Sequence, residues 1–200
     1  MKPNGQTLDR LPHDSVFSIS DAVNQGVSKS NLYRLRDAGV IDQVAPGLYV
    51  YGDGIEADLD LIEAAHKAPL GTICLNSALA RHGLIDEIPS AIDLALPRSK
   101  TPPRLASPVT WHLFDKATFN VGRSELSIEG GEGLEIGIYS PERSIVDAFR
   151  LRASAGYETG LEALRNWLKR RGSHPAMLMD MAATLPRAKG PLQRALEILL

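Results

Sequence analysis

At 200 residues, 44% hydrophobic and 23% charged, the chain can form one medium domain or two small ones. A formal net charge of −2 and a pI near 6.2 exclude a globally basic nucleic-acid binder, so any affinity for a polyanion must come from local potential. No basic segment with an apolar core opens the chain and no apolar run approaches membrane-spanning length, which makes the cytoplasm the expected compartment and a membrane an unexpected partner.

Residues Met1 to Pro12 carry Pro3, Gly5 and Pro12 and are expected to fray, with a short helix around Thr7 to Leu11. Ser18 to Gln25 reads as a helix, capped by Ser20 or Ser18 and stopped by Gly26. Ser28 is a good N-cap for a second helix that runs to Ala38, with Gly39 as its stop. Val40 to Val44 and Leu48 to Tyr51 read as two strands around Ala45-Pro46-Gly47. Helix, tight turn, helix and β-hairpin is the order of a winged helix-turn-helix, the hairpin being the wing.

Gly52-Asp53-Gly54 is the expected boundary, giving domains over residues 1–53 and 54–200. Beyond it, Glu56 to Lys67 and Asn76 to His82 read as helices, the second stopped by Gly83. Ala91 to Leu96, Val109 to Phe114, Glu125 to Ile128 and Leu134 to Ile138 read as strands, and the prolines of Arg98 to Pro108 make that stretch a loop. Ser140-Pro141-Glu142 opens a helix with an N-cap, a first-turn proline and an acid facing the macrodipole, and the helix should reach Ala153. Helices at Glu158 to Arg171, Pro175 to Thr184 and Pro191 to Leu200 complete an α+β chain: an N-terminal winged helix-turn-helix, then a mixed α/β domain with C-terminal helices.

Helical spacing places Leu32 and Leu35 on the buried stripe of the second helix and turns Ser30, Tyr33, Arg34 and Asp37 outward, flanked by Lys29 and Arg36. Hydroxyls, a phenol and an arginine fork on one face can reach base edges and phosphates in a major groove, with Arg34 the leading base-edge candidate. Ser28, Lys29 and Ser30 sit at the helix N-terminus, where backbone N–H groups attract phosphate. The candidate DNA-binding set is Ser28, Lys29, Ser30, Asn31, Tyr33, Arg34 and Arg36, with Gly47 and Tyr49 of the wing. A solvated helix face and a face for protein contacts remain the competing readings, and Tyr49 also suits packing.

Six further features bear on chemistry. Charge is uneven: Asp53 to Pro97 holds eight acids against Lys67 and Arg81, whereas Gly137 to Leu200 holds ten Lys or Arg against six acids. The cluster Arg165, Lys169, Arg170 and Arg171 reads as a solvated helix face or as a contact for DNA, RNA or protein. The single cysteine, Cys74, lies in the apolar run Ile73-Cys74-Leu75 and reads as core packing. The five histidines have no metal-ligand spacing, and Glu129-Gly130-Gly131-Glu132-Gly133 lacks the flanking lysine of a phosphate loop and reads as a hairpin loop. Ser77 near His82 lacks the strand-to-helix elbow of a serine nucleophile, so no catalytic residue, metal or cofactor is expected.

The string Gly26-Val27-Ser28-Lys29-Ser30-Asn31-Leu32-Tyr33-Arg34-Leu35, then Gly39-Val40-Ile41 and Pro46-Gly47-Leu48-Tyr49, resembles the N-terminal domain of AbiEi-type antitoxins. The likeness continues through Leu75-Asn76-Ser77-Ala78-Leu79-Ala80-Arg81-His82-Gly83-Leu84, Ile88-Pro89, Leu96-Pro97-Arg98 and Tyr139-Ser140-Pro141-Glu142-Arg143-Ser144-Ile145-Val146-Asp147. The resemblance implies a type IV abortive-infection antitoxin whose winged helix binds inverted repeats in its own promoter and represses its operon. It further implies a C-terminal domain that counteracts a nucleotidyltransferase toxin. Carried over by motif, Ser77, Arg98, Ser140, Glu142, Arg143 and Asp147 become candidates in that antitoxin domain. Plainer roles compete: Ser140 as a cap, Glu142 as a dipole partner, and Arg143 with Asp147 as an i, i+4 surface bridge worth a few tenths of a kcal/mol.

Overall fold

The computed structural model describes residues 10–13, 15–51, 57–131, 133–152 and 156–199. The expected N-terminal helix falls mostly outside these residues, as does the Gly52-Asp53-Gly54 boundary. The chain divides into two compact units. One runs to Pro69 and includes Arg104–Ala106 and Leu126–Ile136; the other holds Leu70–Pro103, Ser107–Glu125 and the chain from Gly137 onward.

The first unit begins with a strand that no sequence pattern announced, β1 (Val16–Ser18). Its last residue caps helix α1 (Ile19–Asn24), settling the choice between Ser18 and Ser20. The Asp21 N–H donates to Ser18 Oγ at 3.1 Å while the Ser18 N–H donates to Asp21 Oδ2 at 2.7 Å, a reciprocal pair that satisfies two otherwise orphaned donors. Gly26 ends α1 at φ +83°, a conformation that would strain a side-chain-bearing residue, and Val27 turns inward. Helix α2 (Lys29–Asp37) follows at once, capped by Ser28.

Strands β2 (Asp42–Ala45) and β3 (Leu48–Val50) then form a hairpin, with Gly47 at φ +84° in its turn. The sheet order is β1-β3-β2, antiparallel throughout, with Phe17 opposite Tyr49 and an irregularity between Gln43 and Ala45. Phe17, Ala22, Val27, Leu32, Leu35, Ile41 and Tyr49 form one core between this sheet and the helix pair.

Helix α3 (Leu59–Lys67), capped by Asp58, belongs to the same unit and carries a buried carboxylate. Glu63, 1% exposed, accepts from the Ala106 N–H through Oε2 at 2.8 Å and from Lys67 Nζ through Oε1 at 2.7 Å. Lys67 Nζ also donates to the Arg104 carbonyl at 3.2 Å. Two side chains one helical turn apart thus clamp the backbone of a proline-rich loop.

Most of a five-stranded sheet, its strands in the order β6-β5-β4-β8-β7, belongs to the second unit. In chain order these are β4 (Thr72–Ile73), β5 (Ile92–Pro97), β6 (Val109–Phe114), β7 (Arg123–Ser127) and β8 (Glu135–Tyr139). The sheet is mixed: β4 runs antiparallel to β5 and parallel to β8, and β5 runs parallel to β6. The helices are α4 (Leu75–Arg81), one-turn α5 (Lys116–Phe119), α6 (Pro141–Arg150), α7 (Tyr157–Leu168), α8 (Pro175–Thr184) and α9 (Lys189–Leu199). Cys74, Leu79, Tyr139, Phe149, Leu164 and Trp167 lie in their common core. Helix α6 stops at Arg150, short of the expected Ala153, with Leu151 as its C-cap.

Candidate nucleic-acid interface

The candidate surface is built from the cap upward. Ser28 Oγ accepts the Asn31 N–H at 3.3 Å and lies 3.2 Å from Ser30 Oγ, so two hydroxyls and the free N–H groups of the first turn share one end of α2. Leu32 and Leu35 are buried as their spacing requires, and this fixes the helix rotation. Ser30, Arg34 and Asp37, at i, i+4 and i+7, are exposed on the opposite side. Along the edge beside them, the Tyr33 ring lies between Lys29 Nζ at 5.7 Å and Arg36 Cζ at 5.0 Å, both distances suited to cation–π attraction.

Arg36 differs from the residue expected. Its Nε and Nη2 donate to Asp37 Oδ1 at 3.0 and 2.7 Å, and its Nη1 donates to Gln43 Oε1 at 3.3 Å. Gln43 Nε2 in turn donates to the Ala45 carbonyl at 3.2 Å, so the guanidinium ties α2 to strand β2. The Asp37 carboxylate raises the Arg36 guanidinium above its ordinary value, chiefly through the hydrogen bond. Gln43 was absent from the expected set, because a lone exposed glutamine in a strand carries no pattern.

Of the two wing candidates, Gly47 sits in the hairpin turn, half-buried. Tyr49 is corrected: at 1% exposure, with its ring stacked 6.2 Å from Phe17, it is a core residue and has no surface to offer a nucleic acid. The cause is the position of β3, flanked by β1 and β2 with all three of its residues buried. Burial also pushes the Tyr49 phenol above its ordinary value.

In the second unit the six carried-over candidates are not gathered into one site. Ser77 is buried, and its Oγ accepts the Asp93 N–H at 2.8 Å, while Asp93 Oδ1 lies 2.8 Å from His112 Nε2. Arg98 is exposed. Ser140 caps α6 by accepting the Arg143 N–H at 3.2 Å, and Glu142 Oε1 accepts from Trp167 Nε1 at 3.1 Å.

The surface bridge expected of Arg143 and Asp147 is overturned, since both side chains are fully buried. Arg143 Nε donates to Asp147 Oδ2 at 2.8 Å, and its Nη1 donates to the carbonyls of Thr118 at 2.8 Å and Val121 at 2.6 Å. The guanidinium lies 4.3 Å from the Tyr139 ring centroid. Arg150 completes the cluster, donating Nε and Nη2 to Asp147 Oδ1 at 3.0 and 2.8 Å. Long-range partners draw this pair inward, and i, i+4 spacing cannot reveal them.

In the basic cluster, Arg170 Nη2 donates to the carbonyls of His82 and Gly83 at 2.5 and 2.8 Å, covering the C-terminus of α4. Arg165, Lys169 and Arg171 are exposed. Among the described residues no group of three His, Cys, Asp or Glu is placed to hold a metal ion, and no helix is long and apolar enough to cross a membrane.

Residues 9–52, which span the helix pair and its β-ribbon, match the family model described as transcriptional regulator, AbiEi antitoxin. The resemblance read from the sequence is to this same family. No curated protein matches the chain.

Proposed function

We propose, from that family match, that the chain is a DNA-binding autorepressor and antitoxin of a type IV abortive-infection system. In this reading residues 1–53 act as a winged helix-turn-helix and residues 54–200 as the effector domain that counteracts a nucleotidyltransferase toxin in the cytoplasm. Helix α2 enters the major groove of inverted repeats in the promoter, and the Pro46-Gly47 hairpin lies along the flanking backbone as the wing.

The observation that carries the reading is the exposed edge of α2. Leu32 and Leu35 fix the helix on its core, leaving Arg34 exposed and Lys29 beside the Tyr33 ring at the phosphate-attracting end. Arg34 reads a base edge by a bidentate contact, for which guanine O6 and N7 are the fitting pair. Ser28, Lys29, Ser30 and Asn31 contact the sugar–phosphate backbone, and Tyr33 and Arg36 brace them. The six candidates of the second unit act on the toxin through the framework they build, with Arg98 as the exposed member.

The test is a gel shift with a duplex from the region upstream of the coding sequence. The wild type is expected to bind it, and Arg34→Ala to weaken binding by about 1–3 kcal/mol while relaxing preference at one base pair. Unchanged affinity and preference in Arg34→Ala would remove this residue from the interface.

A further inference from the structure

Asp37 occupies an awkward place. It lies in the last turn of α2, at the negative end of the helix macrodipole, on the face proposed to meet a polyanion. Its side chain is 65% exposed. Yet it is organised: Arg36 grips Oδ1 with two nitrogens and is itself anchored to Gln43 and, through it, to the Ala45 carbonyl. Among the described residues Oδ2 accepts no hydrogen bond, and the carboxylate stands one turn beyond Arg34 on the same exposed edge.

We infer that Asp37 is a specificity-determining residue of the DNA interface, with Oδ2 accepting from the N4 amino group of a cytosine. This rests on the DNA-binding reading above. A carboxylate in the major groove is repelled by the acceptors of guanine N7 and O6 and of thymine O4; adenine N6 donates but stands beside the N7 acceptor, whereas cytosine presents a donor alone. The Arg36 guanidinium offsets the charge that would otherwise repel the phosphates, and it holds the carboxylate against rotation. Arg36 is thus a positioning residue: its fork is spent on Asp37 and Gln43 rather than on DNA.

The experiment uses the full chain and a duplex library in which the upstream sequence protected by the wild type is randomised. The wild type is expected to prefer cytosine over other bases at one position by about tenfold. Asp37→Ala should lose that preference while retaining those elsewhere. Asp37→Asn should move it to adenine, whose N6 and N7 suit an amide. Arg36→Met should blunt the preference at the same position. An Asp37→Ala protein whose affinity for every sequence changes by one common factor would overturn the inference and leave the DNA reading standing. A wild-type chain that binds no duplex even at low salt would overturn both.

Discussion

Cys74 and Tyr139 each hold a proton within the second unit that the unfolded chain gives up more easily. Burial pushes the Cys74 thiol well above its ordinary value of 9.0 and the Tyr139 phenol above its ordinary 10.0. In both cases the folded value is the higher one, so the stability that the protonated groups contribute is complete below about pH 9. It is lost as pH rises beyond the ordinary values, where the unfolded chain ionises first. Urea midpoints are therefore expected to fall from about pH 9 upward, with a shallower fall in Cys74→Ala. Tyr139→Phe should also flatten the decline near pH 10. At neutral pH it should cost about 1 kcal/mol, because the Phe119 carbonyl loses its 2.8 Å hydrogen bond. An alkaline profile identical in all three proteins would contradict this account. The placing of Cys74 in the core was legible from its apolar neighbours; the Tyr139 environment was not, since beside the nearby Arg143 it is assembled from Phe114 and Phe119, both distant in sequence.

Helix α6 concentrates its energetics in one carboxylate. Asp147 accepts from Arg143 and Arg150, so its loss leaves one fully buried cation and one nearly buried cation without their anion. Asp147→Ala should destabilise the chain by about 3–5 kcal/mol in urea unfolding. Arg150→Ala should cost less, because the Arg143 bond to Asp147 survives it. A ranking in the opposite order would show that the network is not centred on Asp147. Elements with a strong local signal were legible in advance: Ser28 and Gly39 bracket α2, Ser140-Pro141 opens α6, and α8 spans the expected Pro175–Thr184. Strand β1 has three residues, β4 two and α5 four, each too short to show a period, so they exist through tertiary pairing and one-turn capping alone. Tyr49 was misplaced for a related reason, since alternation along a strand cannot tell a central strand covered on both faces from an edge strand covered on one.

For the whole molecule, a net charge of −2 means that the proposed DNA binding must draw on a few local cations against an unhelpful background. With Arg36 tied to Asp37, Lys29 and Arg34 are the cations that α2 has left to offer phosphates and bases. With Arg34 on a base edge and Lys29 on phosphate, the logarithm of the binding constant is expected to fall with log salt at a slope of about −1 per bound protomer, and Lys29→Ala should remove most of that dependence. A slope steeper than about −5 would mean that other basic surface, such as Arg165 to Arg171, also lies on the duplex. The grip of Glu63 and Lys67 on residues 104 and 106 has another bearing at this scale. Residues 98–108 form a long connection with no helix or strand of its own, the kind of segment that usually opens first to a protease. Anchoring its middle divides one floppy span into two short ones. Cleavage after Arg104 thereby becomes a reporter of whether a single buried carboxylate still holds its grip.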